Sequence, residues 1–226
     1  MTFAQDDSDL TRVGYITLLE KFYLLLSRMS HLCKVLNKDF IMSQDHPLPE
    51  ILSESIVAQT RLFTVQAQQL RFQNGVEVVY ERMMSSATGA VLILPMLDSE
   101  TLLLIKEYAC GMRHYELGFP KGKIDPGEVW AEAAVRETME EVGYRPQEVS
   151  LLDKVSLAAG YMTHQTHLVL AEGLVPAQAE GDEPEPLEVI PWKLDDWQAL
   201  IAHPHFTEGR AYAALLRLLQ EKKRIG

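Results

Sequence analysis

Gly122-Lys-Ile-Asp-Pro-Gly-Glu128-Val-Trp-Ala-Glu-Ala-Ala-Val-Arg136-Glu137-Thr-Met-Glu140-Glu141-Val-Gly143-Tyr144 is the stretch around which the rest of the chain can be read. Asp125-Pro126-Gly127 is turn chemistry, and the pattern predicts a helix immediately after it, with the acid Glu128 in its first turn. Gly143 stands where a helix stops. Within that helix Glu137, Glu140 and Glu141 are spaced i, i+3 and i+4, so their carboxylates share one face. Val135, Met139 and Val142 fall opposite and are expected to anchor the helix in a core. Acidic helix faces are ordinarily just solvated. Two features argue otherwise here. Ala133 and Ala134, one turn earlier on the acidic side, are expected to leave room for a bound group. The Gly/Pro loop ahead of the helix is the setting in which backbone approaches a ligand. Hard oxygen ligands without cysteine suit Mg²⁺ or Mn²⁺, with waters and substrate phosphates completing the shell.

These residues resemble the box of the Nudix hydrolase superfamily, Gly-x5-Glu-x7-Arg-Glu-U-x-Glu-Glu-x-Gly-U, where U is a bulky aliphatic residue. Gly122, Glu128, Arg136, Glu137, Glu140, Glu141 and Gly143 occupy its fixed positions, and Thr138 and Tyr144 depart from it at the two U positions. The resemblance implies that Glu137 and Glu141 hold the metals, with Glu140 supporting or ligating. It implies that Arg136 joins Glu140 in the catalytic set, bracing the loop and helix together with Glu128.

The formal net charge of −11 over 226 residues argues against a DNA-binding or anionic-membrane surface. It is compatible with a phosphorylated substrate, because metal ions supply local positive charge. Two cysteines, Cys33 and Cys110, fit no metal-spacing motif and point to a reducing, cytoplasmic setting without a disulfide framework. Residues 1–41 read as an extension of uncertain role: Tyr15 to Leu36 is helical in composition, but Glu20, Lys21, Arg28 and Lys34 interrupt any membrane-spanning run. The acidic Asp6, Asp7 and Asp9 are wrong for a secretory signal.

Strand signals are read from Arg61 onward. Leu62 to Phe72 and Val76 to Tyr80 flank Asn74-Gly75, the strongest short-range hairpin cue. A second hairpin is expected from Ala90–Leu97 and Thr101–Tyr108, followed by Tyr115–Phe119 and a later strand over Leu168–Glu172. Helices are predicted over Leu194–Ala202 and Glu208–Lys222. This mixture predicts an α/β/α sandwich with a mixed sheet, organised as an N-terminal β region at 42–86 with a small hairpin unit and a hydrolase domain at 87–226.

Over roughly residues 55–215 the resemblance extends to the ADP-ribose branch of the superfamily, most closely the bacterial ADP compounds hydrolases. It is carried by Ser55–Val65, Asn74-Gly75 with Val79–Met83, Tyr115–Phe119 and Glu180–Leu187. In the last stretch Pro184 and Pro186 prevent a regular helix, and a crowded acidic loop is ordinarily solvated. Related hydrolases place a Glu-x-Glu there, which makes Glu183 the candidate general base and Glu185 an additional metal ligand. The alignment permits these roles to be exchanged. Water is a poor nucleophile towards a pyrophosphate, so a carboxylate that takes its proton is needed.

By the same similarity Tyr80 and Glu81 contact the adenine, with a partner subunit contributing in a homodimer. The alternative reading of Tyr80 is a core or hairpin aromatic. Ala109 occupies the place where many ADP-ribose hydrolases carry a phosphate-binding Arg. Ala159 stands where the branch usually has proline, and Tyr161 lies in a neighbourhood associated with diadenosine polyphosphate hydrolases, which makes it a third substrate-binding candidate. His164 and His167 read as strand or surface residues.

The expected protein is therefore a cytoplasmic, Mg²⁺-dependent pyrophosphatase of ADP-ribose, NADH or diadenosine polyphosphates. The competing readings are removal of a nucleotide cap from RNA and a non-catalytic nucleotide sensor. The sensor is disfavoured because the box carboxylates are all present. Because the composition shift ends near Met42, a chain beginning there should fold and retain full turnover. Insolubility or lost activity in that truncated chain would show that residues 1–41 contribute to the fold.

Overall fold

The computed structural model describes residues 46–85, 88–181 and 183–225. The 1–41 extension, with Cys33, lies outside the described residues, as does Asp182 of the acidic loop. The chain divides into a small unit, Met1–Glu50 with Phe72–Asn74, and a large one, Ile51–Arg71 with Gly75–Gly226. The large unit carries the secondary structure that concerns function.

Its first three strands, β1 (Glu50–Gln59), β2 (Thr64–Arg71) and β3 (Glu77–Met84), form a three-stranded sheet. The expected hairpin is present: Thr64 to Arg71 pairs antiparallel with Met84 to Glu77, and Gly75 takes φ +81°, a conformation glycine adopts without steric cost. β1 begins well before Arg61, where the strand signals were first read. Its ten residues are nearly all exposed, so no buried face imposes the alternation by which a strand is usually recognised.

The second sheet holds β4 (Ala90–Asp98), β5 (Thr101–Ala109), β9 (Glu148–Ser156), β10 (Gln165–Glu172) and β12 (Glu188–Lys193) in the order β12-β5-β4-β10-β9. β6 (His114–Gly118) adds to β5 and β7 (Lys121–Lys123) to β4. β4 and β10 run parallel and the other pairs antiparallel, which makes the sheet mixed. Two short strands, β8 (Tyr144–Arg145) and β11 (Val175–Pro176), pair with each other.

Alternation along the central strands decides the layers. Leu92, Leu94, Leu102, Leu104, Leu168 and Leu170 point to one face. There they meet α2 (Trp197–Ile201) and α3 (Gly209–Glu221) through Leu200, Ala211, Ala214, Leu215, Leu218 and Leu219. The spacing of the last five residues, near the 3.6-residue helical period, gives α3 one apolar stripe. Each leucine buried there stabilises the fold by about 1.5–3 kcal/mol relative to exposure. Val91, Ile93, Val169 and Ala171 point to the other face and receive Ala133 and Ala134 of α1 (Trp130–Glu137). The result is the expected α/β/α sandwich. A strand such as β4, buried on both faces, reads as a continuous apolar run. Among the described residues no helix is long and apolar enough to cross a membrane.

Candidate active site

The site is built from the turn, the helix and the loop that returns over them. Gly127 adopts φ +90°, and the Glu128 N–H donates to the Asp125 carbonyl at 3.0 Å. The Glu128 carboxylate accepts from the Asp125 N–H at 3.0 Å. α1 begins only at Trp130, so Glu128 closes the turn ahead of the helix and is not in its first turn as expected. Glu132 takes that place and accepts the Val129 N–H at 3.1 Å, satisfying one of the helix's orphan donors.

After Glu137 the helix widens into a π turn over Thr138–Val142. The Thr138 hydroxyl donates to the Ala134 carbonyl at 2.6 Å. Gly143, at φ +76°, ends the segment with its N–H on the Thr138 carbonyl. π turns recur at functional sites because they change which side chains share a face. Here Glu137 and Glu141 both turn inward, each only 8 % exposed, while Glu140 is half-buried.

Two expectations about the helix fail. Ala133 and Ala134 leave no room for a bound group, since the sheet fills the space against them. Val135 and Met139 do not anchor the core: both are half-buried and line an outer cavity with Val149 and Arg145. Only Val142 of the three is core, packed with Leu103 and Ile105. Tyr144, at the second departing position of the box, packs against the same cluster.

Arg136 holds the carboxylates together. Its Nε and Nη2 donate to the two oxygens of Glu128, both at 3.0 Å. Nη1 donates to Glu137 Oε1 at 2.8 Å and to Glu140 Oε2 at 3.0 Å, and Nη2 also reaches the Lys123 carbonyl at 2.9 Å. The Arg136 hydrogen bonds hold the Glu128 carboxyl below its ordinary range, and these carboxylates keep the guanidinium charged well above its own.

Gly122 is required by contact with Glu137. A Cβ at that position would stand 1.8 Å from Glu137 Oε1, so the carboxylate lies directly on the loop backbone. The neighbouring Lys121 was not singled out in the sequence. Its N–H donates to Glu141 Oε2 at 3.0 Å, and its ammonium pairs with Glu107. Burial pushes the Glu141 carboxyl up to about 8, against the opposing influence of Lys121, with Glu137 adding repulsion.

Glu137, Glu140 and Glu141 line a cavity of about 310 Å³ together with Glu183 and Glu185. The loop over 177–187 brings the last two there. The Ala177 N–H donates to the Gly143 carbonyl at 3.1 Å and the Ala179 N–H to that of Met139 at 3.4 Å. Among the described residues no three such side chains converge as an assembled metal shell, and Glu137 and Glu140 are engaged by Arg136. The donor chemistry nevertheless fits a hard divalent cation: the side-chain donors are carboxylate oxygens and the Gln178 amide oxygen, and a cation would relieve the repulsion felt by the buried Glu141.

The substrate candidates lie elsewhere. Tyr80 and Glu81 are exposed on β3 and Tyr161 is exposed on the loop after β9, and none of them lines this cavity. The structure does bring Tyr161 to β3: the Met83 N–H donates to the Tyr161 carbonyl at 2.7 Å, and the Thr163 N–H to that of Met83 at 3.1 Å. Ala109 lines a neighbouring cavity of about 310 Å³ with Lys121 and Arg210. His167 lies on β10 with its ring at the Ala90 carbonyl, whereas His164 stands just before that strand, half-buried and hydrogen-bonded to Thr166. Cys110 is an exposed free thiol. Tyr115, also missed as a site residue, donates its hydroxyl to Glu185 Oε1 at 2.6 Å.

Comparison with known proteins places the chain in a family. The family model described as the NUDIX domain matches residues 87–218. The chain belongs to the Nudix hydrolase family. Residues 49–82 of this Nudix hydrolase match the NudE-type Nudix hydrolase N-terminal domain. The chain is 47% identical over 174 residues to the ADP compounds hydrolase NudE of Escherichia coli (strain K12), covering 77% of this chain and 93% of that protein. It is 25% identical over 178 residues to the ADP-ribose pyrophosphatase of Bacillus subtilis (strain 168), covering 75% and 95% respectively. A crystal structure of an ADP compounds hydrolase superposes with a TM-score of 0.75 at 44% identity, covering 81% of this chain and all of that one.

Replacing Glu141 by Gln should lower turnover by roughly two orders of magnitude or more while the fold stays intact. The same variant carries a stability signature in chelator. An acid whose folded value is about 8 against an ordinary 4.5 makes the folded state bind the extra proton, so the wild type should lose stability as pH rises between those values. The loss should be of the order of a few kcal/mol. Thermal denaturation from pH 5 to pH 8 should show it, and the Gln variant should lack this component.

Proposed function

We propose that this Nudix hydrolase cleaves the diphosphate of ADP-linked nucleotides, namely ADP-ribose, NADH or diadenosine polyphosphates, and releases AMP from ADP-ribose. The convergence of Glu137, Glu140, Glu141, Glu183 and Glu185 on one cavity carries the reading. The nucleotide class is supported by the names of relatives, an ADP compounds hydrolase, an ADP-ribose pyrophosphatase and an ADP-sugar pyrophosphatase of Mus musculus that is 32% identical over 148 residues.

Glu137 and Glu141 would hold divalent ions, with Glu140 supporting them and Glu185 as a further ligand. Mg²⁺ is the proposed ion, with Mn²⁺ able to replace it on the same oxygens. When bound, such ions shield the diphosphate charge and acidify water. Glu183 accepts the proton of the attacking water as its oxygen bonds to phosphorus. The bridging P–O bond breaks, and ADP-ribose yields AMP and ribose 5-phosphate. Arg136 holds the acids together and oriented, and it has no proton to give at neutral pH. Tyr80, Glu81 and Tyr161 are proposed to contact the nucleoside, and the small Ala109 leaves phosphate binding to other groups.

Incubating the chain with each nucleotide and Mg²⁺, with products resolved by chromatography, tests the substrate class. AMP release from ADP-ribose is expected, and no hydrolysis of any ADP-linked nucleotide would refute the reading. Within the site, Glu183→Gln should lower kcat about a hundredfold or more at nearly unchanged KM, because a base acts mainly in the transition state. Glu185→Gln should be partly rescued by raising Mg²⁺. Rescue of Glu183→Gln alone would exchange the two roles.

A cytoplasmic homodimer is the proposed state. The three-stranded sheet exposes Ile51, Ile56, Val57, Val79 and Tyr80 over its two faces, and Phe63 is exposed in the turn between β1 and β2; a second copy would cover part of this apolar surface. Among the described residues the one cysteine is a free thiol, in keeping with a reducing compartment. Sedimentation should find a dimer that Val79→Glu dissociates with loss of turnover. A fully active monomer would overturn the assignment.

A further inference from the structure

Loop 177–187 carries Glu183 and Glu185 to the cavity, and it is attached by different means along its length. The start is tied by backbone: the Ala177 and Ala179 N–H groups donate to the Gly143 and Met139 carbonyls of the π turn. The end is tied by packing, since Leu187 joins Leu103, Ile105 and Val142. Between these points Pro184 and Pro186 have no N–H to donate, and they stand on either side of Glu185. Across this middle stretch the Tyr115 hydroxyl donates to Glu185 Oε1 at 2.6 Å.

Tyr115 is itself well placed to hold. It sits on β6 in register with Tyr108 of β5, and the two rings meet edge to face at 5.6 Å between centroids. The Lys106 ammonium lies 6.0 Å from the Tyr115 ring centroid and 3.7 Å from Glu188 Oε2, at the point where the loop enters β12. One face of the phenol is therefore fixed by the sheet, while its hydroxyl points to the loop.

We propose that Tyr115 is a positioning residue: its hydroxyl holds Glu185 and thereby keeps the acidic loop seated against Glu137, Glu140 and Glu141. The inference rests on the proposed roles of Glu183 and Glu185. A carboxylate has a second oxygen for a ligand while one accepts from Tyr115, and ligating groups are commonly oriented in this way by an outer hydrogen bond.

Tyr115→Phe removes the hydroxyl and keeps the ring contacts. It should lower kcat for ADP-ribose about tenfold with KM within about twofold, as expected for loss of an orienting partner. The melting temperature should stay unchanged, because an exposed hydrogen bond contributes little. A second readout needs no substrate. A glutamate-specific protease acting on the native protein can cut after Glu180, whereas Glu183 and Glu185 are each followed by proline, a poor site for it. Tyr115→Phe should speed cleavage after Glu180 several-fold. Glu185→Ala should do the same, and the double variant should cut no faster than Glu185→Ala alone. Unchanged cleavage in Tyr115→Phe overturns the proposal whatever its kcat, as does faster cleavage with wild-type kcat. If the wild type hydrolyses no ADP-linked nucleotide, the functional reading has failed, and the cleavage rates still report on the tie.

Discussion

Like charges cannot be crowded onto one stretch of helix without a counter-charge, and Arg136 meets that constraint here. Its guanidinium offers five N–H donors in a rigid plane, and this geometry matches several carboxylates at once. Bonds to Glu128, Glu137, Glu140 and the Lys123 carbonyl tie the turn, the end of α1 and the π turn into one body. A lysine would supply the charge without the fork. Glu141 lies outside this web, and its burial without such a partner is the reason its carboxyl is pushed up to about 8.

The sheet makes this arrangement possible by holding α1 close. Small side chains, Ala133 and Ala134, let the helix lie directly on β4 and β10. The same closeness brings the Gly122 backbone under the Glu137 carboxylate, where no Cβ could fit. The two features serve one end. Small residues at the helix–sheet contact lower the helix, and glycine in β7 admits the acid. Glu137 at the end of α1 and Glu141 within the π turn both face inward.

The opposite wall of the cavity is made differently. It is a loop rather than a regular element, rich in acids that would repel one another if left unattached. Backbone bonds to the π turn, apolar packing at Leu187 and the Tyr115 phenol hold it against the carboxylate face. The loop is thus anchored by the same π turn that presents the box acids, so a displacement of one shifts the other.

The box residues from Gly122 to Gly143, the central apolar strands and the hairpin were all legible in the chain itself. Each rests on local chemistry: turn-forming Asp-Pro-Gly, apolar runs and Asn-Gly depend only on near neighbours. β1 was not legible, because an exposed strand lacks the alternation that marks a buried face. The true start of α1 and the core role of Val135 and Met139 were also misjudged. A regular helical period was assumed, and the Thr138 π turn changes the period where the acids lie. Lys121 and Tyr115 gave no signal, since their importance comes from partners about 20 and 70 positions away. Sequence determined which side chains are present and which elements they favour. Tertiary structure decided which of them face one another, because that depends on how the loop over 177–187 folds back over a helix that only the sheet holds in place.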